Sequence, residues 1–225
     1  MAVYLSEDDH ARVTAAVAEA ELHTAGEIVT VVADRSDGYS DVALAWSAIV
    51  AFTALIVLAL FPSFYLGLVD RVLDNWQHDW TPREVFTLAA VVAIGKFLVM
   101  WLLQFWPPLK FWLILPTIKT KRTLDRAVSL FKVGAERRTH GRTGILIYLS
   151  MREHRAQILA DEAIASKVPP ETWGEAMAAM LAHIKHGRSA DGMIAAVEKV
   201  GVVLAEHFPR AEDDVNELPD RLIEL

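Results

Sequence analysis

Five polar residues placed after two apolar β-type runs are the first candidates for chemistry in this chain. Asp34 and Arg35 follow the run 27–33, and Ser150, Arg152 and Glu153 close or follow the run 145–150. If the two runs are parallel strands, their carboxyl ends share one edge of a sheet, where open α/β folds bind ligands. A carboxylate, a guanidinium and a hydroxyl there could meet a lipid headgroup or the flank of another membrane protein. The same residue types are also ordinary turn formers, so a purely solvated turn is the competing reading. Asp125 and Asp161 are two further carboxylates; a pair of acids could hold Mg²⁺ or Ca²⁺ and activate water for phosphoryl transfer. Asp161, after the third strand, is expected at the opposite end of the sheet from Asp34, so the acids should not converge.

Other chemistries find little support. His183 and His186 are three apart on a helix but lack a third ligand nearby, and no metal site is expected. There is no Walker loop, dinucleotide glycine fingerprint or serine elbow, and Gly141–Arg142–Thr143–Gly144 leads into a strand rather than a helix. With no cysteine, thiolate catalysis and disulfides are excluded. The net charge of −7 argues against a nucleic-acid partner, which requires a basic face.

The elements that must position these residues are interrupted by two long apolar stretches. Residues 42–69 contain no charge and would reach roughly 42 Å as a straight helix, beyond a hydrocarbon core of ~30 Å, so the first span must tilt or break near Pro62. Residues 85–106 make a second crossing despite Lys96, an intramembrane charge that either snorkels or contacts a partner. Residues 70–84 form an external loop and 107–118 an interfacial segment. Arg35, Lys119, Lys121, Arg122 and Arg126 flank one side of the hairpin, against Arg71 and Arg83 on the other, which puts both termini in the cytoplasm of a two-span inner-membrane protein. Trp76 and Trp80, opposite Trp46, Trp106 and Trp112, have the distribution of interfacial belts.

The remaining sequence divides into halves that need each other. Ser6 and Asp9 suit a capping box opening a helix with Val13, Ala16, Val17 and Ala20 on one stripe, with Gly26 as its stop. One helix and one strand cannot satisfy their own faces and backbone, so partners must come from beyond the hairpin. There, 120–138 reads as an amphipathic helix with Leu124, Ala127, Val128 and Phe131 inward. Strands at 145–150 and 155–160 follow. Two helices come next, with Trp173, Met177, Met180, Leu181 and Ile184 on one, and Met193, Val197, Val200 and Leu204 on the other. The acids of 210–225 suggest a solvated acidic tail.

Gly26–Glu27–Ile28–Val29, Thr143–Gly144–Ile145–Leu146–Ile147–Tyr148, the segment 155–158, Gly187 and Gly192, and His207–Phe208–Pro209 together resemble the TPM domain. In particular they resemble its bacterial membrane subgroup, with a two-helix transmembrane insertion. The resemblance implies an α/β fold, a three-layer α/β/α sandwich with a small mixed sheet, here split by the hairpin into 1–34 and 119–209. It also implies a phosphatase-like domain, associated in some members with divalent cations. The chain departs from common family features at Thr143, where an Asn is frequent, and at Ala160–Asp161–Glu162–Ala163, where a Gly-rich segment is frequent. The expected function is a membrane-anchored interaction or maintenance module for other membrane proteins, with no cofactor. Lipid, a membrane-protein partner or another copy of the chain would be its contacts, and any cleft beyond Asp34 should meet the bilayer. A membrane-bound phosphatase using Ca²⁺ or Mg²⁺ is the alternative, and a channel of assembled hairpins would rest on Lys96.

Overall fold

A computed structural model describes residues 4–72, 79–134, 143–210, 218 and 220–225. The elements run α1 (Glu7–Glu21), β1 (Glu27–Ala33), α2 (Ser40–Leu60), α3 (Pro62–Val72), α4 (Pro82–Leu103), α5 (Pro107–Leu113), α6 (Pro116–Gly134), β2 (Gly144–Ser150), β3 (Arg155–Ala160), α7 (Glu162–Ala165), α8 (Trp173–Ile184), α9 (Ser189–His207) and β4 (Ile223–Glu224). They form two units, Met1–Asp37 with Pro116–Leu225, and Gly38–Leu115.

The first unit is the discontinuous α/β domain. Its sheet has the order β3-β2-β1-β4 and is mixed. β1 lies parallel to β2 from Glu27↔Gly144 to Ala33↔Ser150, and β3 returns antiparallel to β2. Alternation along the strands builds two cores. Ile28, Val32, Ile145, Ile147 and Leu149 face α1, α8 and α9, while Val31, Leu146 and Tyr148 face Ala127 and Phe131 of α6. The result is the three-layer α/β/α sandwich.

Local signals explain most elements. Asp9 N–H donates to Ser6 Oγ and Ser6 N–H to Asp9 Oδ2, both at 3.1 Å, so the capping box forms as the sequence indicates. α1 ends at Glu21, well before Gly26, whose role is different: a Cβ there would sit 2.9 Å from Leu204. Gly192 likewise admits α8, since its Cβ would meet the Met180 carbonyl oxygen at 2.8 Å. On α9, Met193, Val197, Val200 and Leu204 are all fully buried, as their spacing requires. On α6 the inward stripe is Thr123, Ala127 and Phe131, with Leu124 exposed at 39%. The expected stripe thus holds at Ala127 and Phe131 and fails at Leu124, whose place on the inward face Thr123 takes. Residues 135–142, with the turn glycine Gly141 and Arg142, lie outside the described residues.

The end of the chain corrects the expectation of a solvated tail. Residues 211–217 and 219 lie outside the described residues, but Leu218 and Leu222 are buried. Ile223 and Glu224 pair parallel with Val31 and Val32, Leu225 N–H donates to Val32 O, and Asp34 N–H donates to Leu225 O, each bond 2.9 Å long. The cause is the outer edge of β1, whose backbone groups need partners; four apolar residues set among the acids supply a short strand that covers it.

The second unit is helical. α2 and α4 have 21 and 22 residues and are each long and apolar enough to cross a membrane. The run 42–69 is not one helix: α2 ends at Leu60 and Pro62 opens α3, because proline cannot continue the ladder. α4 starts three residues earlier than the apolar run, at Pro82, through a Thr81–Glu84 capping box. The segment 107–118 divides into α5 and the first turn of α6. Near α5, Trp46 Nε1 donates to Leu113 O at 3.1 Å, Gln104 Nε2 to Ala43 O at 3.0 Å and Lys110 Nζ to Gly38 O at 2.5 Å, which places Trp46 at the same end as α5. Trp80 donates to Asp70 at 3.0 Å; Trp76 lies outside the described residues.

One buried acid makes the fold sensitive to pH. Burial, with Glu27 and Asp220 adding repulsion, pushes Glu21 up to about 8 although it accepts Ile28 N–H at 2.7 Å. The folded chain therefore holds this proton more tightly than the unfolded one, so stability falls as pH rises from about 4.5 towards 8. Glu21→Gln should leave the melting temperature at pH 5 unchanged and raise stability at pH 8 by a few kcal/mol. Parallel melting curves for the two proteins across that range would contradict this.

Candidate functional site

The parallel pairing of β1 with β2 brings Asp34, Ser150, Arg152 and Glu153 to one edge, as the sequence predicts. What they form there is not an open cleft but two hydrogen-bonded clusters. In the first, Asp34 accepts from Arg152 Nε at 2.8 Å and from the Tyr4 hydroxyl. Burial opposes ionisation, yet the bonds from Tyr4 and Arg152 prevail and hold the Asp34 carboxyl below its ordinary range. The same contact raises the Arg152 guanidinium, and burial together with the Asp34 bond raises the Tyr4 phenol. Tyr4 N–H donates to Glu224 Oε1 at 2.8 Å, and His10 Nε2 lies 3.0 Å from Glu224 Oε2. The cluster thus clasps both ends of the chain to the tip of β1.

In the second cluster Glu153 is 1% exposed. Its Oε1 accepts Ser36 N–H at 2.8 Å and its Oε2 accepts the Ser150 hydroxyl. Ser36 Oγ lies 3.1 Å from the Tyr148 hydroxyl and 3.4 Å from Thr123 Oγ1. Burial pushes the Tyr148 phenol up. The turn that aims Glu153 inward closes on His154, at a positive φ of 51°. Arg35 stands exposed beside both clusters, the one candidate of the five that is mostly open to solvent.

The edge is also where the chain leaves and re-enters the domain. Arg122 on α6 pairs with Asp37 at 3.2 Å, and Arg155 Nε donates to Thr120 Oγ1 at 3.2 Å, so Asp37 and the start of α6 are held at one place.

The other candidates do not join this edge. Asp161 follows β3, whose Ala160 pairs with Ile145 near the start of β2, so it lies at the opposite end of the sheet. There it is 5% exposed and caps α7 by accepting Glu162 N–H at 2.7 Å, a structural task; its Oδ2 has no partner among the described residues. Asp125 is on the exposed face of α6. His183 Nδ1 is buried without a partner among the described residues, where no three His, Asp or Glu side chains are grouped to hold a metal ion. Lys96 lies in the helical unit. Sequence reasoning missed Tyr4, Ser36, Tyr148, Thr123, His10 and Glu224. The one signal available for them was the run of hydroxyl residues flanking the strands, which carries no information about which will meet.

An α/β/α domain with a mixed four-stranded sheet, interrupted after its first strand by an apolar helical unit, defines the class. Residues 111–203 match the family model of the TPM domain. The matched segment begins in α5 and omits α1 and β1, which the sheet shows to be part of the same domain. No curated protein matches the chain. Among solved structures, the NMR structure of BA42 protein from the psychrophilic bacterium Bizionia argentinensis is similar in fold. It has a TM-score of 0.57 at 17% identity, covering 100% of this chain and 98% of that one.

Because Glu153 accepts both Ser36 N–H and the Ser150 hydroxyl, Glu153→Ala should destabilise the domain by about 3 kcal/mol through the groups it leaves unpaired. Glu153→Gln should cost less than half of that, as read from chemical unfolding of the full chain. Equal losses for the two variants would mean that the hydrogen bonds do not hold this edge.

Proposed function

We propose that this chain is a membrane-anchored TPM-domain protein whose α/β domain stands on the cytoplasmic side of the inner membrane. It serves there as an interaction or maintenance module for other membrane proteins. Two helices with the length and apolarity of membrane spans support the anchoring, and the cations Lys119, Lys121, Arg122 and Arg126 on the domain side of the hairpin support the orientation. The observation that carries the reading is the double tether at one edge: the chain departs after Asp37 and returns at Pro116, and the Arg122–Asp37 ion pair holds the two connections together. Both connections to the apolar segment therefore leave the domain at that one edge. Arg35, exposed beside it, is the residue offered to a lipid headgroup or a neighbouring protein.

The rival reading, a phosphatase dependent on a divalent cation, requires carboxylates that converge with open coordination positions. Asp34 is engaged by Tyr4 and Arg152, Glu153 by Ser36 and Ser150, and Asp161 sits at the other end of the sheet. That arrangement favours the interaction module.

A photoreactive residue at Arg35 should capture integral membrane proteins in native membranes, and the same residue at Glu162, at the opposite end, should capture few. With a phosphoester panel, the purified full chain should show no Mg²⁺- or Ca²⁺-dependent turnover. Turnover abolished by Asp34→Asn or Asp161→Asn would replace this reading with the enzymatic one.

A further inference from the structure

Within the helical unit, α2, α3 and α4 enclose a groove of about 350 Å³ between them. Its walls are apolar, with Val57 of α2 and Leu88 and Val92 of α4 among them, and its polar residues are few: Thr53, Tyr65 and Lys96. Leu88, Val92 and Lys96 are spaced four apart and so share one face of α4. Helical side chains lean towards the helix N-terminus. Lys96 is therefore directed over Val92 and Leu88 into the groove and away from the nearer end of α4 at Leu103, which works against reaching the headgroups on that side. Among the described residues Lys96 has no hydrogen-bond or ion-pair partner. Within the proposed membrane setting, an unpaired ammonium among apolar side chains is unfavourable and calls for an anion at its own depth.

Among the described residues the helical unit sets no acid beside it. α2 carries its single acid, Asp41, at its second residue, α3 carries Asp70 two residues before its end, where it accepts from Trp80 Nε1, and α4 carries Glu84 at its third residue, so all three lie near helix ends. A second copy would bring the same acids, each near a helix end, and another Lys96. Beside Lys96, Gly95 is exposed and a Cβ on it would meet nothing within 4 Å, so another backbone can approach α4 closely at this level.

We infer that the groove around Lys96 docks a transmembrane helix of a different membrane protein, one that carries an Asp or Glu at the depth of Lys96. The carboxylate pairs with the ammonium, the Thr53 and Tyr65 hydroxyls give the pair polar neighbours, and the flanking apolar side chains of the partner fill the groove. This inference rests on the membrane-anchored reading and names the chemistry of the partner.

The test uses the full chain reconstituted in phosphatidylcholine vesicles with labelled synthetic Leu-Ala transmembrane helices bearing one Asp, Asn or Leu at the level of Lys96. Energy transfer should show the Asp helix associating roughly tenfold or more tightly than the Leu helix. Lys96→Met should abolish that preference and Lys96→Arg should retain it. Equal association of the Asp and Leu helices, or a preference that survives Lys96→Met, overturns the inference. So does Lys96-dependent binding of oleate that excludes the Asp helix, since the occupant would then be a free amphiphile. Alkaline extraction of the same vesicles separates the two levels. A chain that washes off removes the anchored reading along with the inference, whereas a chain that stays inserted without any Asp preference removes the inference alone.

Discussion

The backbone of β1 needs hydrogen-bond partners on both sides, and none of them is near it in sequence. On one side stands β2, paired from Glu27↔Gly144 onward; on the other stands β4, the last residues of the chain. A buried strand left unpaired would lose several hydrogen bonds without water to replace them. Closing this sheet therefore brings together three distant stretches of the sequence and sets the architecture. Parallel pairing also demands a crossover. Here the whole helical unit and α6 lie within that crossover, and α6 covers the sheet face that α1, α8 and α9 leave bare.

The consequence is an edge with heavy structural duties. The carboxyl ends of β1 and β2 carry the exit to the helical unit, the return from it, and the contacts that hold both chain ends. Its polar groups are matched to those duties. Asp34 joins Tyr4 to Arg152, Glu224 joins Tyr4 to His10, and Glu153 fixes the Ser36 turn from which the chain departs. Comparable polar groups at the strand ends of α/β enzymes are left open to ligands. Here most are closed onto one another, and Arg35 is the exception. The position is that of a binding edge, while the hydrogen bonding is that of an anchor point.

Much of the fold was legible. Ser6 and Asp9 marked the start of α1, the alternating four- and three-residue spacing from Met193 to Leu204 marked α9, and the β-branched run at 27–33 required a partner that could come only from beyond the hairpin. Periodicity and capping are local physics, and local physics survives folding. What escaped was non-local. The C-terminal residues read as a charged tail because acids outnumber apolar residues there, and only the open side of β1 gives Leu218, Leu222 and Ile223 a place to be buried. Asp34 and Glu153 were legible as neighbours at one edge. Their engagement by Tyr4 and Ser36 was not, since nothing in a Tyr near the amino end or a Ser in a loop reports its distant contact. Gly26 looked like a helix stop and proved to be the point of closest approach to Leu204, a distinction that depends on packing alone.

β1 and β2 form one continuous sheet although the helical unit is inserted between them in sequence. Amide hydrogen exchange of the full chain, resolved by residue, tests it directly. The amides of Ile28 to Val32 should be as strongly protected as those of Ile145 to Leu149 and should open together with them. Fast exchange in β1 beside a protected β2–β3 pair would contradict it, because the carboxyl-terminal half would then fold without the strand on which the split domain depends.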